Sequence, residues 1–510
     1  VIHQIDLGGR SIALATDGDV TRRDGKVYVC AAHLSLLHDM RGGEVYRTGQ
    51  TSWSPSGWQR LADPPLRVAN PVRRRTADDD LWDDPTRHHS SWVAVVEDAG
   101  PVGEKPAGEV VPDRPSAVLV GCLEGETPRV RVDEAALEAF TETGRPGRWV
   151  ILVGSATQVM TAYARQLGAY QGRREIRPQS VWCSWYSYYE GVSEEAVAAE
   201  IPEVARCGFS TLQIDDGWQA GVGDWHAGPR FPSGMKAVAD AVWEADMTPG
   251  LWVAPFIALP GSRAVREHPE AFVRAADGSL AVAGSNWGSH YHALDMTHPR
   301  AQDLVYEVTD RVVHEWGFSY LKLDFLNAAA VPGVRAQDTD REQAYREGLR
   351  LVRQAAGEDV FLLGSGALLM PSVGVLDAVR VGPDVAPMWD NYATDDPSDA
   401  TARNALRASA SRLWLGEVIG VDPDVAFFRH RRNLLDDTQM LWLRELAAAC
   451  RFRCVSDRTA WLEEAEKKAL RTWVTREEEV ELLGRYRFRV GGREVDLTEA
   501  VEGSASPYPL

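Results

Sequence analysis

Short apolar runs of strand length set the pattern of the first third of the chain. Val27-Tyr28-Val29-Cys30, Trp92-Val93-Ala94-Val95-Val96, Ala117-Val118-Leu119-Val120 and Trp149-Val150-Ile151-Leu152-Val153 are separated by Gly, Asp and Pro. Runs of this length, punctuated by turn formers, predict strands. Residues 1–172 therefore predict an N-terminal β-sandwich domain. Two stretches break the pattern. Residues 63–90 are rich in Asp, Arg and Pro, residues 101–115 hold four Pro, and both predict long loops.

From about residue 178 strands alternate with longer helical stretches. The strands start at Val181-Trp182-Cys183-Ser184-Trp185, Leu212-Gln213-Ile214-Asp215 and Gly250-Leu251-Trp252-Val253. Tyr320-Leu321-Lys322-Leu323-Asp324, Val360-Phe361-Leu362-Leu363 and Ala378-Val379-Arg380-Val381 follow, then two less regular runs near Glu417–Val421 and Arg451–Val455. Between them Ser193–Arg206, Arg300–Trp316, Arg341–Ala356, Ala400–Leu413 and Asp437–Ala449 have helical periodicity. Eight alternations over residues 173–476 predict an α/β fold, a (β/α)8 TIM barrel. A doubly wound sheet is the competing arrangement, but no Gly-rich phosphate loop follows the first strand. Residues 477–510 leave room for a short C-terminal β segment. Val480–Leu483 and Tyr486–Val490 form a candidate hairpin, and the tail from Gly503 to Leu510 reads as frayed.

The composition of the 510 residues narrows the partners. The 55 Lys and Arg stand against 74 Asp and Glu, a net charge of −19. Such a chain repels phosphate backbones, so nucleic acid is not an expected partner. No apolar run reaches the ~18 residues of a membrane span. Six scattered Cys do not form a disulfide framework, and Cys450 and Cys454 read as buried thiols. The chain starts Val1-Ile2-His3-Gln4, without a charged and then apolar leader pattern. The expected location is the cytoplasm, although the absence of an initial Met leaves open a removed segment. Eighteen Trp are an excess, with two readings: a large core, or flat faces for sugar rings.

Polar residues close four strands. The second ends Asp215-Asp216-Gly217-Trp218, the fourth Lys322-Leu323-Asp324, the sixth Arg380-Val381-Gly382-Pro383-Asp384, and the segment near the seventh Asp422-Pro423-Asp424. In a barrel the carboxyl ends of the strands share one face, and that face carries the chemistry. Period two sends Lys322 and Asp324 to the same side, the barrel interior. Two acids across a pocket suit glycoside hydrolysis: one attacks the anomeric carbon, the other protonates the leaving oxygen. Lys322 would keep Asp324 ionised, and Arg380 would neutralise the opposite wall. Clustered Asp also suits a metal. Lys322 and Arg380 oppose that reading, and the H-x-H pair His290-Tyr291-His292 lacks a third ligand at a telling spacing, so Pro260–Asp295 reads as loop.

Together these strand ends resemble glycoside hydrolase clan D, and most closely family 36, the α-galactosidases, in their compact bacterial and thermophile form. The motifs are Trp182-Cys183-Ser184-Trp185-Tyr186, Ile214-Asp215-Asp216-Gly217-Trp218-Gln219, Gly250-Leu251-Trp252-Val253-Ala254-Pro255-Phe256, Lys322-Leu323-Asp324-Phe325-Leu326-Asn327 and Arg380-Val381-Gly382-Pro383-Asp384. The resemblance implies Asp324 as nucleophile and Asp384 as acid/base of a retaining mechanism, with their carboxyl groups ~5–5.5 Å apart. It implies Lys322 and Arg380 on substrate hydroxyls, and Asp215 and Asp216 on the 4- and 6-hydroxyls of a terminal galactose. Trp185, Tyr186 and Trp252 would wall the pocket, and Trp53 would be lent to it by the β-domain. It implies no cofactor and no metal, and an oligosaccharide or other galactoside as the small-molecule partner. Two departures stand out. Gly364-Ser365-Gly366-Ala367-Leu368 replaces a Cys-containing segment on the 2-hydroxyl side, so Ser365 is a candidate substrate contact and the choice between galactose and N-acetylgalactosamine stays open. The C-terminal β-domain is also shorter than usual, which leaves the oligomeric state open. An α-N-acetylgalactosaminidase and a raffinose-synthase-like transglycosylase share the site. A metal-dependent sugar isomerase and a non-catalytic sugar-binding protein are the alternatives from other classes.

Overall fold

A computed structural model describes residues 1–503 apart from 8, 39, 41, 77–83, 85, 99–116, 392 and 395. The apolar runs of the first third pair into two antiparallel sheets. One orders Ile2–Leu7, Arg10–Thr16, His33–Leu37, Ala136–Thr141, Pro128–Val132 and His88–Ser91. The other orders Asp19–Arg23, Lys26–Ala31, Gly147–Gly154, Ala117–Glu124, Val93–Glu97, Glu44–Thr48 and Ser56–Arg60. Alternation places Val27, Val29 and Ala31 of one sheet, and Leu34 and Leu36 of the other, in the core. Ala117–Glu124 is buried along nearly its whole length because the helix Ala156–Gln171 covers its second face. Tyr163 of that helix donates to the Cys122 carbonyl at 2.7 Å. Gly121 permits the contact, since a Cβ there would lie 2.4 Å from the Tyr163 ring.

The alternating region is a parallel (β/α)8 barrel behind this sandwich. Its strands are Gln179–Cys183, Thr211–Ile214, Thr248–Val253, Tyr320–Leu323, Phe361–Gly364, Ala378–Arg380, a split seventh, and Phe452–Val455. Gly420–Asp422 pairs with the sixth strand, and Val425–Ala426 with the eighth, which pairs back to the first. The interruption is Pro423, which has no N–H to donate, and Asp424, whose φ is +78°. One chain run thus closes the barrel while leaving its acids at the carboxyl end. The helices Glu194–Cys207, Arg341–Ala356 and Asp437–Ala449 fall on the predicted stretches, each started by a capping Ser or Asp. The stretch predicted as one helix from Arg300 is an α-helix, Pro299–Asp310, followed by a π-turn, Arg311–Glu315.

Two loop expectations are corrected. Within 63–90 a helix forms at Pro71–Thr76, because Asn70 Oδ1 accepts from the amides of Val72 and Arg73 and Pro71 fits the first helical position. The strand His88–Ser91 follows. The Pro-rich 101–115 lies outside the described residues. Pro260–Asp295 contains a hairpin, Val282–Asn286 with Ser289–Ala293, turned by Trp287 and Gly288 at φ +51° and +69°. Its polar Ser, Asn and His residues mask the strand signal. His290 and His292 share one face of their strand, with ring centres 5.0 Å apart; His290 is exposed and His292 buried, with its Nδ1 2.9 Å from the Ala281 carbonyl. Among the described residues no group of three His, Cys, Asp or Glu is placed to hold a metal. The six cysteines are free, with Cys450 and Cys454 buried. No described helix is long and apolar enough to cross a membrane. At the C-terminus Val480–Leu482 pairs with Arg487–Val490 as expected, and Arg493–Asp496 adds a third strand.

The sandwich and the barrel meet at a buried acid. Glu342 accepts from Gln50 Nε2 at 2.5 Å, the Trp92 indole at 2.7 Å and Arg129 at 3.1 Å. Burial pushes its carboxyl up to about 7, against the pull of Arg129 and Arg341. The folded state therefore holds this proton more tightly than the unfolded chain does. The contribution is full below about pH 4.5 and is lost as pH rises through about 7, a swing of roughly 3 kcal/mol at ~1.4 kcal/mol per unit. Glu342→Gln is expected to flatten the fall in stability across that window, as read by urea unfolding at a series of pH values.

Candidate active site

Lys322 lies in the fourth barrel strand, where alternation with Leu321 and Leu323 turns it inward. Its Nζ reaches across to Asp215 Oδ2 at 2.8 Å, and both side chains are buried. The expected partner was Asp324. Lys322 acts on Asp324 only through space, while its direct contact is Asp215. Asp215 Oδ2 also accepts from Gln213 at 2.6 Å, and its Oδ1 from the Asp216 amide at 3.0 Å. Burial pulls the Lys322 ammonium down, but Asp215, Cys183 and Asp324 together hold it above its ordinary value.

Asp324 follows the strand and is fixed by two donors. Trp252 Nε1 reaches its Oδ2 at 2.9 Å and the Phe325 amide its Oδ1 at 2.7 Å. The second bond needs Phe325 in the left-handed region, at φ +53°. Burial raises the Asp324 carboxyl. Lys322 and the Trp252 bond pull it back, and Asp384 pushes it up. Beside it Asp216 accepts from Gln219 at 2.6 Å and from the Trp287 indole at 2.8 Å. Burial pushes Asp216 up to about 6, with Asp215 adding to the effect and the two donors opposing it.

Asp384 stands on the opposite wall with a side chain 55% exposed, and accepts from Arg380 Nη1 at 3.1 Å. Arg380 is itself buried among acids, with Nε 3.1 Å from Asp422 and Nη1 3.0 Å from Asp424. Asp424 also takes the Tyr186 hydroxyl and, at 2.9 Å, the Val385 amide. Burial pushes Asp424 up to about 6. Arg380 pulls it down, while Asp384 and Asp422 push it up. Three carboxylates, two of them buried, thus share one guanidinium.

A cavity of about 280 Å³ opens between these walls. Asp324, Asp384, Trp53 and Ser365 line it, together with Tyr291 and Phe325. Asp215, Asp216, Lys322, Arg380, Tyr186 and Trp252 are not part of that lining; Trp252 and Arg380 bond to the two acids that are. Trp185 is half-buried, packs edge-on against Tyr189 with ring centres 5.2 Å apart, and is not part of the lining. Trp53 comes from the sandwich. The carbonyls of Ser52 and Ser54, on either side of it, accept from the fully buried Arg412 at 2.7 and 3.1 Å. Gly366, at φ +58°, gives the ring room, because a Cβ there would lie 2.4 Å from it. Sequence reasoning misses Arg412, Trp287 and Tyr291 as site residues, and places Asp424 only as an acidic strand end without a role. The Asn286-Trp287-Gly288 turn signal was available for Trp287, and the Asp422-Pro423-Asp424 strand end for Asp424.

The family model for melibiase matches residues 154–356. An α-galactosidase structure from Thermus thermophilus, in complex with p-nitrophenyl α-D-galactopyranoside, superposes with a TM-score of 0.89 at 36% identity, over 98% of this chain and 100% of that one. The chain belongs to the melibiase family. Among curated melibiase relatives, a probable α-galactosidase C of Aspergillus flavus is 28% identical over 163 residues, 28% of this chain and 21% of that protein. An A-type blood α-D-galactosamine galactosaminidase of Flavonifractor plautii is 27% identical over 225 residues, 38% of this chain and 21% of that protein. The chain spans about a fifth of the length of each of these two relatives. The fold above is that of a melibiase-family barrel.

Proposed function

We propose that the protein is a retaining, exo-acting α-galactosidase that hydrolyses terminal α-D-galactosides of the melibiose and raffinose type. The observation that carries this reading is the unlike setting of two acids on one cavity, Asp324 fixed by Trp252 and Phe325, and Asp384 exposed beside Arg380. Asp324 presents a carboxylate whose orientation two donors have set before substrate arrives, as a nucleophile requires. Asp384, reachable from solvent, gives a proton to the leaving oxygen and then takes one from the water that releases the sugar. In this reading the buried carboxylates Asp215 and Asp216, with Lys322 bound to Asp215, take the 4- and 6-hydroxyls of the galactose ring. Trp53 and Ser365 bound the ring on its open sides. A cavity of about 280 Å³ has room for a chain end rather than a chain interior, which makes the action exo.

The test is release of nitrophenol from α-galactoside, α-N-acetylgalactosaminide, β-L-arabinopyranoside and α-glucoside, with no metal added. Fast release from the α-galactoside, with α-galactose as the first product by NMR, is the expected outcome. Inactivity on the α-galactoside, or β-galactose as first product, overturns the reading. Preference for the α-N-acetylgalactosaminide would move the substrate to the amino sugar on the same two acids.

A further inference from the structure

We infer that the helix Pro71–Thr76 builds the subsite for the leaving group and that Arg73 recognises a sugar there. The inference rests on the α-galactosidase reading above. Val72, Arg73 and Thr76 line the same cavity as Asp324 and Asp384, although they belong to the N-terminal part of the chain. Their side of the cavity is the acid's side. The segment that continues from Asp384 supplies Ser398 and Ala400 to the lining, and Arg73 is bound to that segment. Its Nη1 lies 2.5 Å from Asp399 Oδ1 and 3.4 Å from Ser398 Oγ. The acid must reach the glycosidic oxygen, so whatever leaves is seated on this side.

The helix is fixed before any ligand binds. The Asn70 amide donates to the buried Asp396 at 2.7 Å, while the Asn70 side chain caps the helix. Asp399 takes Arg73, Asn391 at 2.8 Å and Thr394 at 2.7 Å, a set of donors that keeps it charged and the guanidinium in place. Arg73 spends one nitrogen on this anchor. Its Nε and Nη2 have no partner among the described residues, and its side chain is 40% exposed. A planar fork of free donors fits adjacent hydroxyls of a pyranose, and the exposed Val72 beside it offers an apolar surface to the ring's C–H face. An aryl leaving group has no hydroxyls to present and gains nothing from the fork.

Kinetics of the whole chain on melibiose and on nitrophenyl α-galactoside test this. Arg73→Ala is expected to raise KM for melibiose about tenfold, the loss of one charge-assisted hydrogen bond, and to leave kcat/KM for the nitrophenyl substrate within about twofold. Arg73→Lys, which retains a donor, is expected to recover part of the melibiose affinity. An equal loss on both substrates in Arg73→Ala, with no recovery in Arg73→Lys, would make the residue structural and overturn the inference. An unchanged melibiose KM would also overturn it, while leaving the α-galactosidase reading intact. A wild type inactive on both substrates removes that reading and this inference together.

Discussion

Asp324→Ala is expected to lower kcat on α-galactosides by about 10⁴-fold or more, the scale of losing a covalent nucleophile. The cavity should remain, because Lys322 and the Trp252 ring keep other partners when this carboxylate is lost. Lys322 is held by Asp215, and Trp252 packs against Trp225 and Trp287. The variant therefore binds galactosides but has nothing to attack with. A small anion can enter the space left by the carboxylate. Azide is expected to restore turnover and to yield β-galactosyl azide, since it attacks from the side where Asp324 stood while Asp384 still protonates the leaving group. The product, identified by NMR, separates this role from a structural one. A merely structural Asp324 would give neither rescue nor a β-azide, and one that bound a hydroxyl would raise KM instead.

Much of this site was legible in the sequence because two periodicities coincide there. Strand alternation sends Lys322 to the interior, and the barrel rule puts all strand ends on one face, so Asp324 and Asp384 could be placed on one cavity before any coordinates. What stayed hidden are contacts between segments distant in sequence. Lys322 is adjacent to Asp324 in the pattern, but the barrel's curvature brings it to Asp215, 107 positions away. Trp287 and Tyr291 sit in a hairpin whose polar residues have no apolar alternation to reveal it. The helix at 71–76 is six residues, Pro-Val followed by three Arg and a Thr, with no apolar stripe, and only its cap and Pro71 mark it. Asp424 lies beyond a Pro that breaks the seventh strand, so alternation gives no prediction for its direction. Arg412 is invisible for a different reason. A charged residue in a helical pattern reads as solvated, and the carbonyls that make its burial tolerable come from the loop around Trp53 and from Val381, both distant in sequence.

Asp384→Ala should produce a loss whose size depends on the leaving group. With melibiose the departing sugar oxygen needs a proton, and removing the acid is expected to lower kcat/KM by about 10³–10⁴-fold. With nitrophenyl α-galactoside the phenolate leaves with little help, so the first step slows far less. The second step then limits, because no base activates the water that must free Asp324. Stopped-flow traces are expected to show a burst of nitrophenol followed by slow turnover, and a KM below the wild-type value. Azide needs no base, and it should accelerate turnover and give α-galactosyl azide, the opposite anomer to that from Asp324→Ala. Two variants, one nucleophile and two anomers assign the two acids to their walls. The neighbours sharpen the test. Arg380 keeps Asp422 and Asp424 when Asp384 is removed, so that wall retains its packing and the lost rate reports on the proton. If both substrates lost activity equally, with no burst and no azide product, Asp384 would not be the acid. Its place beside Arg380 would then serve binding alone.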